Sequence, residues 1–243
     1  MNDSAIPLIR KLTAFAALSD AEKSAIGELH RRRRTFDKGQ TLVSEGQIEQ
    51  RAFVLAAGWV CSYKILPAGT RQIVDFQIPG DFLGLRSVLF RTADHNIEAV
   101  TKVEASEILA SDLIESFRSY PRLATAVLWA ASRDEAMVVE HLVDLGRRNA
   151  LERTAHFLLE LGVRLQLVGM ATKAGYSCPL SQYLLADALG LSAIHVNRVL
   201  RQLREMGLVE FHQSKVVFDD YDGLVELAGF ESAYLDQPEP ILV

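Results

Sequence analysis

The sequence predicts an α+β protein: an N-terminal jelly-roll-like β-roll sensor domain, one long dimerisation helix and a C-terminal winged helix-turn-helix. Three observations carry that expectation. Between Arg34 and about Asp112, short β-branched and aromatic runs alternate with Gly39, Gly46, Gly58, Gly69, Gly80 and Gly84, the texture of an all-β roll. From Pro121 to Leu145 no breaker interrupts a helical apolar pattern. The stretch PLSQYLLADALGLSAIHVNRVLRQLREMGLVEFHQSKVVF, Pro179 to Phe218, reads as helix, tight turn, helix and hairpin wing. Domain limits of 1–120, 121–146 and 147–243 follow.

The totals are compatible with this plan. At 49% hydrophobic and 23% charged, the chain can bury a core and falls outside the disordered class. The start, MNDSAIPLIRKLTAF, has no long apolar run behind a basic end, and the apolar run Leu123–Ala131 is too short to span a bilayer. A cytoplasmic protein with no membrane partner is expected. Cys61 and Cys178 form no CxxC pair, which argues against a disulfide framework and a cysteine-rich metal site. No nucleophile–base pair, metal-ligand cluster or phosphate loop marks an enzyme, so no catalytic residue is assigned. The net charge of −5 is concentrated at the end of the chain. Asp219 to Val243 carries seven acids and no Lys or Arg, and the 26 basic residues outnumber the 24 acids before it. Around Arg198, Arg201, Arg204 and Lys215 the local field is positive, and phosphate affinity follows that local patch.

In chain order, Ile6, Leu8, Ile9, Leu12, Phe15 and Leu18 form a first amphipathic helix, and Ser-Asp-Ala-Glu from Ser19 is a capping box for a second. Arg31 to Arg34 reads as a solvated edge leading into the first strand, with a phosphate patch as the alternative. Phe53, Leu55, Val60, Ile73, Val74 and Phe76 are expected inside the roll. Leu113–Ser119 is a short helix. The long helix that follows is apolar on two faces: Leu128, Ala131, Val138, Leu142 and Leu145 form one row, Leu123, Val127, Ala130 and Met137 another. Two such faces need two covers, the roll and the same helix of a second subunit. Asp134 and His141 interrupt the rows as polar pairs across that seam or as exposed groups. Gly146 marks a hinge, Asn149–Val168 another helix, and Gly169–Cys178 a loop. After the wing, Asp222–Gly229 forms a last helix and Gln237–Val243 a flexible tail.

In the organising stretch, Leu184, Leu185, Ala188 and Leu189 form the apolar side of the first helix, and Ala186 is small where two helices cross. Gly190 ends that helix in a left-handed conformation and Ser192 caps the second. Val196, Val199, Leu200 and Leu203 fall at i, i+3, i+4 and i+7, one buried stripe. The opposite face offers Ile194, His195, Asn197, Arg198, Arg201 and Gln202 to a DNA major groove.

A roll, a long helix and a winged helix-turn-helix, in this order, resemble the Crp/Fnr family of bacterial transcription regulators. FDKGQTLVSEG, IPGDFLG and LADALGLSAIHVNRVLRQLREMGLVEF carry the resemblance. It implies a homodimer on a roughly palindromic double-stranded DNA site, with RNA polymerase as a partner. A signal received by the roll then turns the DNA-binding domains. It also implies Arg198 on a guanine, Asn197 and His195 on neighbouring base edges or phosphate, and Ile194 on a thymine methyl beside Ala193. Ser181, Ser192, Arg201 and Lys215 become phosphate contacts. Ile194 stands where many members have Glu, so a different half-site is expected. The sensor pocket would draw on Gly80, Asp81, Phe82, Gly84, Leu85, Arg86, Ser87 and Asn96. The Glu that holds the ribose in cAMP-binding members has no counterpart after IPGDFLG, and Ala93-Asp94-His95 stands where their Arg-Ser pair lies. That argues against cAMP. The iron–sulfur members use several N-terminal cysteines, lacking here. A haem-sensing role would need an axial ligand from His30, His95, His141 or His156.

Overall fold

The computed structural model describes residues 6–48, 51–90 and 92–235, the side chains of residues 51, 87 and 89 excepted. The chain divides into two compact units, 6–65 with 75–132 and 66–74 with 133–235.

The first unit opens with α1 (Pro7–Thr13) and α2 (Asp20–Leu29), then β1 (Arg33–Phe36), β2 (Thr41–Val43), β3 (Arg51–Ala57) and β4 (Val60–Ile65), and β5 (Arg71–Gln77) is shared between the units. Of the shared strand β5, residues 71–74 belong to the second unit and only 75–77 to the first, which continues through β6 (Phe82–Leu83), α3 (Leu85–Leu89), β7 (Asn96–Ala99), β8 (Val103–Leu109) and α4 (Ala110–Ser119). The strands make two four-stranded sheets, ordered β1-β8-β3-β6 and β2-β7-β4-β5. Phe36, Leu42, Phe53, Leu55, Val60, Leu83, Ile97 and Val103 fill a core from inward positions of both sheets. A second core joins Leu8, Leu12 and Ile26 of the first two helices to Val54, Ile108 and the Leu123, Ala126, Val127 and Ala130 face of α5 (Pro121–Gly146). The expected capping box is present: Ser19 Oγ accepts from Glu22 N, and the Glu22 carboxylate accepts from Ser19 N. Of the residues expected inside the roll, Phe53, Leu55, Val60 and Phe76 are buried in the first unit, whereas Ile73 and Val74 fall in the second, Ile73 buried and Val74 only half-buried.

The four consecutive arginines form a paired, solvated edge. Arg31 meets Glu28, Arg32 meets Asp112, Arg33 meets Glu104 and Arg34 meets Glu107. In the last two cases the partners lie on β8, which pairs antiparallel with β1.

The second unit holds the rest of α5 and α6 (Ala150–Leu167), followed by β9 (Ala171–Thr172), β10 (Gly175–Ser177), α7 (Gln182–Leu189) and α8 (Ala193–Glu205). It closes with β11 (Val209–His212), β12 (Lys215–Phe218), α9 (Tyr221–Ala228) and a 3-10 turn at Ser232–Tyr234. The segment expected as a loop, 169–178, therefore contains a hairpin that widens the wing to four strands, ordered β11-β12-β10-β9. Gly175 permits this: at φ +140°, a Cβ there would lie 2.0 Å from the Val216 carbonyl oxygen. Gly162 similarly leaves room for Phe218 and Tyr176, whose ring atoms lie 3.3 Å from where its Cβ would be. The expected tail, Gln237–Val243, lies outside the described residues.

A polar cluster ties α5 to α6. His141 makes contacts within its own chain. Its Nδ1 is 3.1 Å from the Val74 carbonyl oxygen and its Nε2 2.9 Å from Glu160 Oε1. The buried Glu160 carboxylate also accepts from Tyr234 Oη at 3.0 Å and lies 3.6 Å from Arg164. Burial alone would raise the Glu160 carboxyl, but the charges of His141, Arg164 and His156 hold it down to about 2. Next to it, the ring nitrogens of buried His156 lie 3.2 Å from Asp144 and 3.6 Å from Glu140, and Arg148 bridges the same two carboxylates.

The two apolar rows of α5 separate cleanly. Leu123, Val127, Ala130 and Met137 are buried, whereas Leu128, Val138, Leu142 and Leu145 are 66%, 47%, 70% and 42% exposed.

Candidate nucleic-acid interface

The helix-turn-helix is built from local rules. Ser181 Oγ accepts from Leu184 N at 3.3 Å and caps α7. The helix ends at Gly190 in the left-handed region, φ +62°, with its N–H donating to the Ala186 carbonyl. Ser192 Oγ then accepts from His195 N at 3.2 Å and caps α8. The stripe Val196, Val199, Leu200 and Leu203 is buried, which fixes the rotation of α8 about its axis. The opposite face is therefore the open one. Ile194 is 85% exposed, Asn197, Arg198 and Arg201 are exposed, and Ala193 and His195 are half-buried. Arg201 lies 3.7 Å from Glu205 in a solvated i,i+4 pair, and Lys215 is exposed at the start of β12.

Seven of the nine sequence-assigned residues fall into two groups, with His195 of α8 and Lys215 of β12 in neither. Ala193, Ile194, Asn197, Arg198 and Arg201 share the exposed side of one helix. Ser181 and Ser192 sit at the N-termini of the two helices, where N–H groups and the positive end of the helix dipole favour phosphate. Their hydroxyl oxygens accept the capping bonds, and each hydroxyl hydrogen is available to donate to a phosphate oxygen. The tip of the wing is Gln213-Ser214, both left-handed at φ +50° and +58°. Two left-handed residues make the hairpin turn that matches strand twist, here without glycine. Tyr183, 76% exposed on the first turn of α7, was not anticipated. The signal for it was its position two residues after the Ser181 cap.

The sensor-pocket residues are mostly committed to the fold. Asp81 is buried, bonded to Lys11 Nζ at 2.8 Å and to Ile78 N at 3.0 Å. A Cβ on Gly80 would meet the Pro7 backbone at 3.0 Å, and Phe82 is buried in the core. Gly84, left-handed, introduces α3, an element that sequence reasoning missed, in which Leu85 is half-buried. Asn96 Oδ1 accepts from Glu45 N. Arg86 lies 3.3 Å from Asp94, whose carboxylate also faces His95 Nδ1 at 2.7 Å. Burial would raise the Asp94 carboxyl, but His95 and then Arg86 hold it below the usual range. The Ser87 side chain lies outside the described residues. Among the described residues no group of three or more His, Cys, Asp or Glu is placed to hold a metal ion, and no helix is long and apolar enough to cross a membrane. Cys61 and Cys178 are both fully buried, and burial pushes the Cys178 thiol up to about 12. A thiol so held is not a thiolate at neutral pH.

Comparison with known proteins adds independent findings. Residues 33–120 match the cyclic nucleotide-binding domain family, and residues 152–227 the Crp-like helix-turn-helix domain family. The nitrogen fixation regulation protein FixK of Bradyrhizobium diazoefficiens is 32% identical over 201 residues, 83% of each chain. The transcriptional activator protein FnrA of Stutzerimonas stutzeri is 26% identical over 88% of this chain and 87% of its own. The solved structure of FixK2 from Bradyrhizobium japonicum superimposes with a TM-score of 0.72 at 28% identity, covering 80% of this chain and 96% of that one.

Proposed function

The chain belongs to the Crp/Fnr family of DNA-binding transcription regulators, and from that premise we propose that it reads a roughly palindromic operator as a homodimer paired through α5. The observation that carries the reading is the open face of α8, with Ile194, Asn197 and Arg198 projecting from a helix whose other side is locked into the core. Arg198 donates to a guanine, the commonest specific contact, Asn197 and His195 meet neighbouring base edges or phosphate, and Ile194 covers a thymine methyl. Ser181, Ser192, Arg201 and Lys215 take backbone phosphates. The row Leu128, Ala131, Val138, Leu142 and Leu145 is spaced by three, seven, four and three residues, which fits a heptad seam, and the exposure of its four large members supports a second copy as its cover.

The roll is proposed not to take cAMP. Arg86, the cation nearest in chain to the IPGDFLG loop, already faces Asp94, and a cyclic phosphate needs an unopposed cation or a ring of amide donors. The signal is then a different ligand or none, and contact with RNA polymerase completes the proposed activity.

Arg198→Ala tests the reading in a gel-shift assay at fixed salt, on a duplex that the wild-type protein selects from a randomised pool. Specific affinity should fall by about 1–3 kcal/mol with preference relaxed at one base pair, while affinity for unrelated duplex changes little. Unchanged specific binding overturns the assignment.

A further inference from the structure

Strand β5 enters the second unit by a tight turn, in which Leu66 N and Gly69 N donate to the Thr70 and Leu66 carbonyls. Its first residues then take hold of α7. Arg71 Nε and Nη2 lie 2.9 and 2.8 Å from Asp187 Oδ2, with the two side chains 26% and 33% exposed. Gln72 Nε2 donates to the Ala188 carbonyl at 3.1 Å. Two residues on, the Val74 carbonyl faces His141 Nδ1 of α5 at 3.1 Å.

The chemistry of Asp187 marks this as a purposeful contact. The last turn of a helix carries the negative end of its dipole, so a carboxylate there is unfavourable and a cation favourable. Asp187 occupies that turn of α7, beside carbonyls that have no partner within the helix. Arg71 supplies the cation that the turn lacks, and Gln72 supplies a donor to one of those carbonyls. The helix is thus completed by residues more than a hundred positions earlier in the chain. The grip falls on the end of α7 away from Ser181, Gln182 and Tyr183, all of which stay exposed. It holds the helix from behind and leaves the DNA-facing surface open.

We propose that Arg71 is a positioning residue for operator binding: through Asp187, with Gln72 on Ala188, it fixes α7 and hence the presentation of α8 to the groove. This rests on the reading that α7 and α8 dock on duplex DNA. Arg71 itself touches no base or phosphate in this scheme; it acts through α7. The strand that bears it runs on to Ile73 and Phe76, both buried.

A charge swap tests it in the full-length protein. Arg71→Glu, Asp187→Arg and the double variant R71E/D187R are compared with wild type on the selected duplex and on unrelated duplex at several salt concentrations, with circular dichroism and melting temperature measured in parallel. Asp187→Arg places a cation at a helix C-terminus and should not unfold α7 by itself. Arg71→Glu should reduce the ratio of specific to non-specific affinity about tenfold, and the double variant should recover it to within about threefold of wild type. Recovery separates a positional role from a loss of net positive charge, because the double variant has the wild-type charge. Arg71→Glu binding as tightly as wild type, or more tightly, overturns the proposal. So does a double variant as weak as the single, or a shift in melting temperature with no change in the affinity ratio. Failure of the wild-type protein to select any duplex would instead remove the DNA-reading premise.

Discussion

His30 sits in the roll with 6% of its surface exposed and its Nδ1 3.5 Å from Ser106 Oγ. Burial, and then the charge of Arg33, pushes its imidazole from the ordinary 6.5 down to about 4. Because the folded value lies below the unfolded one, the unfolded chain takes up the proton first. The contribution of His30 is therefore complete above pH 6.5 and is lost as pH falls towards 4. At pH 5 the loss is about 2 kcal/mol. His30→Gln keeps a polar side chain that does not titrate. Urea unfolding at pH 7.5 and pH 5 should show wild type losing about 2 kcal/mol more than this variant on acidification. Equal losses would exclude His30 as the acid-sensitive group. Glu160 works in a lower window: its folded value of about 2 lies below the ordinary 4.5, so its contribution persists until pH falls below 4.5 and goes on the way to 2. Two buried groups in different units thus place acid sensitivity in separate pH ranges.

At the scale of elements, α5 carries the sharpest test. Leu142 is 70% exposed, so Leu142→Arg should leave each protomer folded while placing two cations in the proposed seam. Losing both leucines from the seam forgoes about 3–6 kcal/mol of apolar burial. Sedimentation at micromolar concentration should then find monomer with unchanged helix content, and dimer persisting in the variant would count against α5 as the seam. The rows of α5 and the stripe of α8 were legible because long helices repeat their apolar positions many times. The caps at Ser19 and Ser192 were legible, since each is a local bond within three residues, and those at Asn149 and Ser181 obey the same rule although they were not read as caps. What escaped was short or distant. β9 and β10 span two and three residues, too few to show a period, and they form only because β10 pairs with β12. α3 covers five residues in a stretch read as pocket. The Arg71–Asp187 contact joins residues 116 positions apart, and nothing local to either announces it. The contacts of His141 with Val74 and Glu160 were likewise not legible, since those residues lie 67 and 19 positions away.

For the whole molecule, the family and the fold agree while the signal stays with this chain's own residues. A roll that matches the cyclic nucleotide-binding domain family nonetheless sets Asp94 against Arg86 and commits Asp81 to Lys11. A ligand that binds only the folded state raises its stability in proportion to the logarithm of its concentration over Kd. Millimolar cAMP should therefore leave the melting temperature unchanged. A rise that saturates with concentration would show a nucleotide site and reverse the reading of the Arg86–Asp94 pair.

The two interior thiols also have a practical meaning. With Cys61 and Cys178 both shut away from solvent, a cysteine introduced at an exposed place such as Tyr183 would be the one maleimide-accessible thiol of the native protein. The wild-type chain is thus already a blank background for single-site fluorophores and spin labels, ready to report distances across a dimer or along bound DNA.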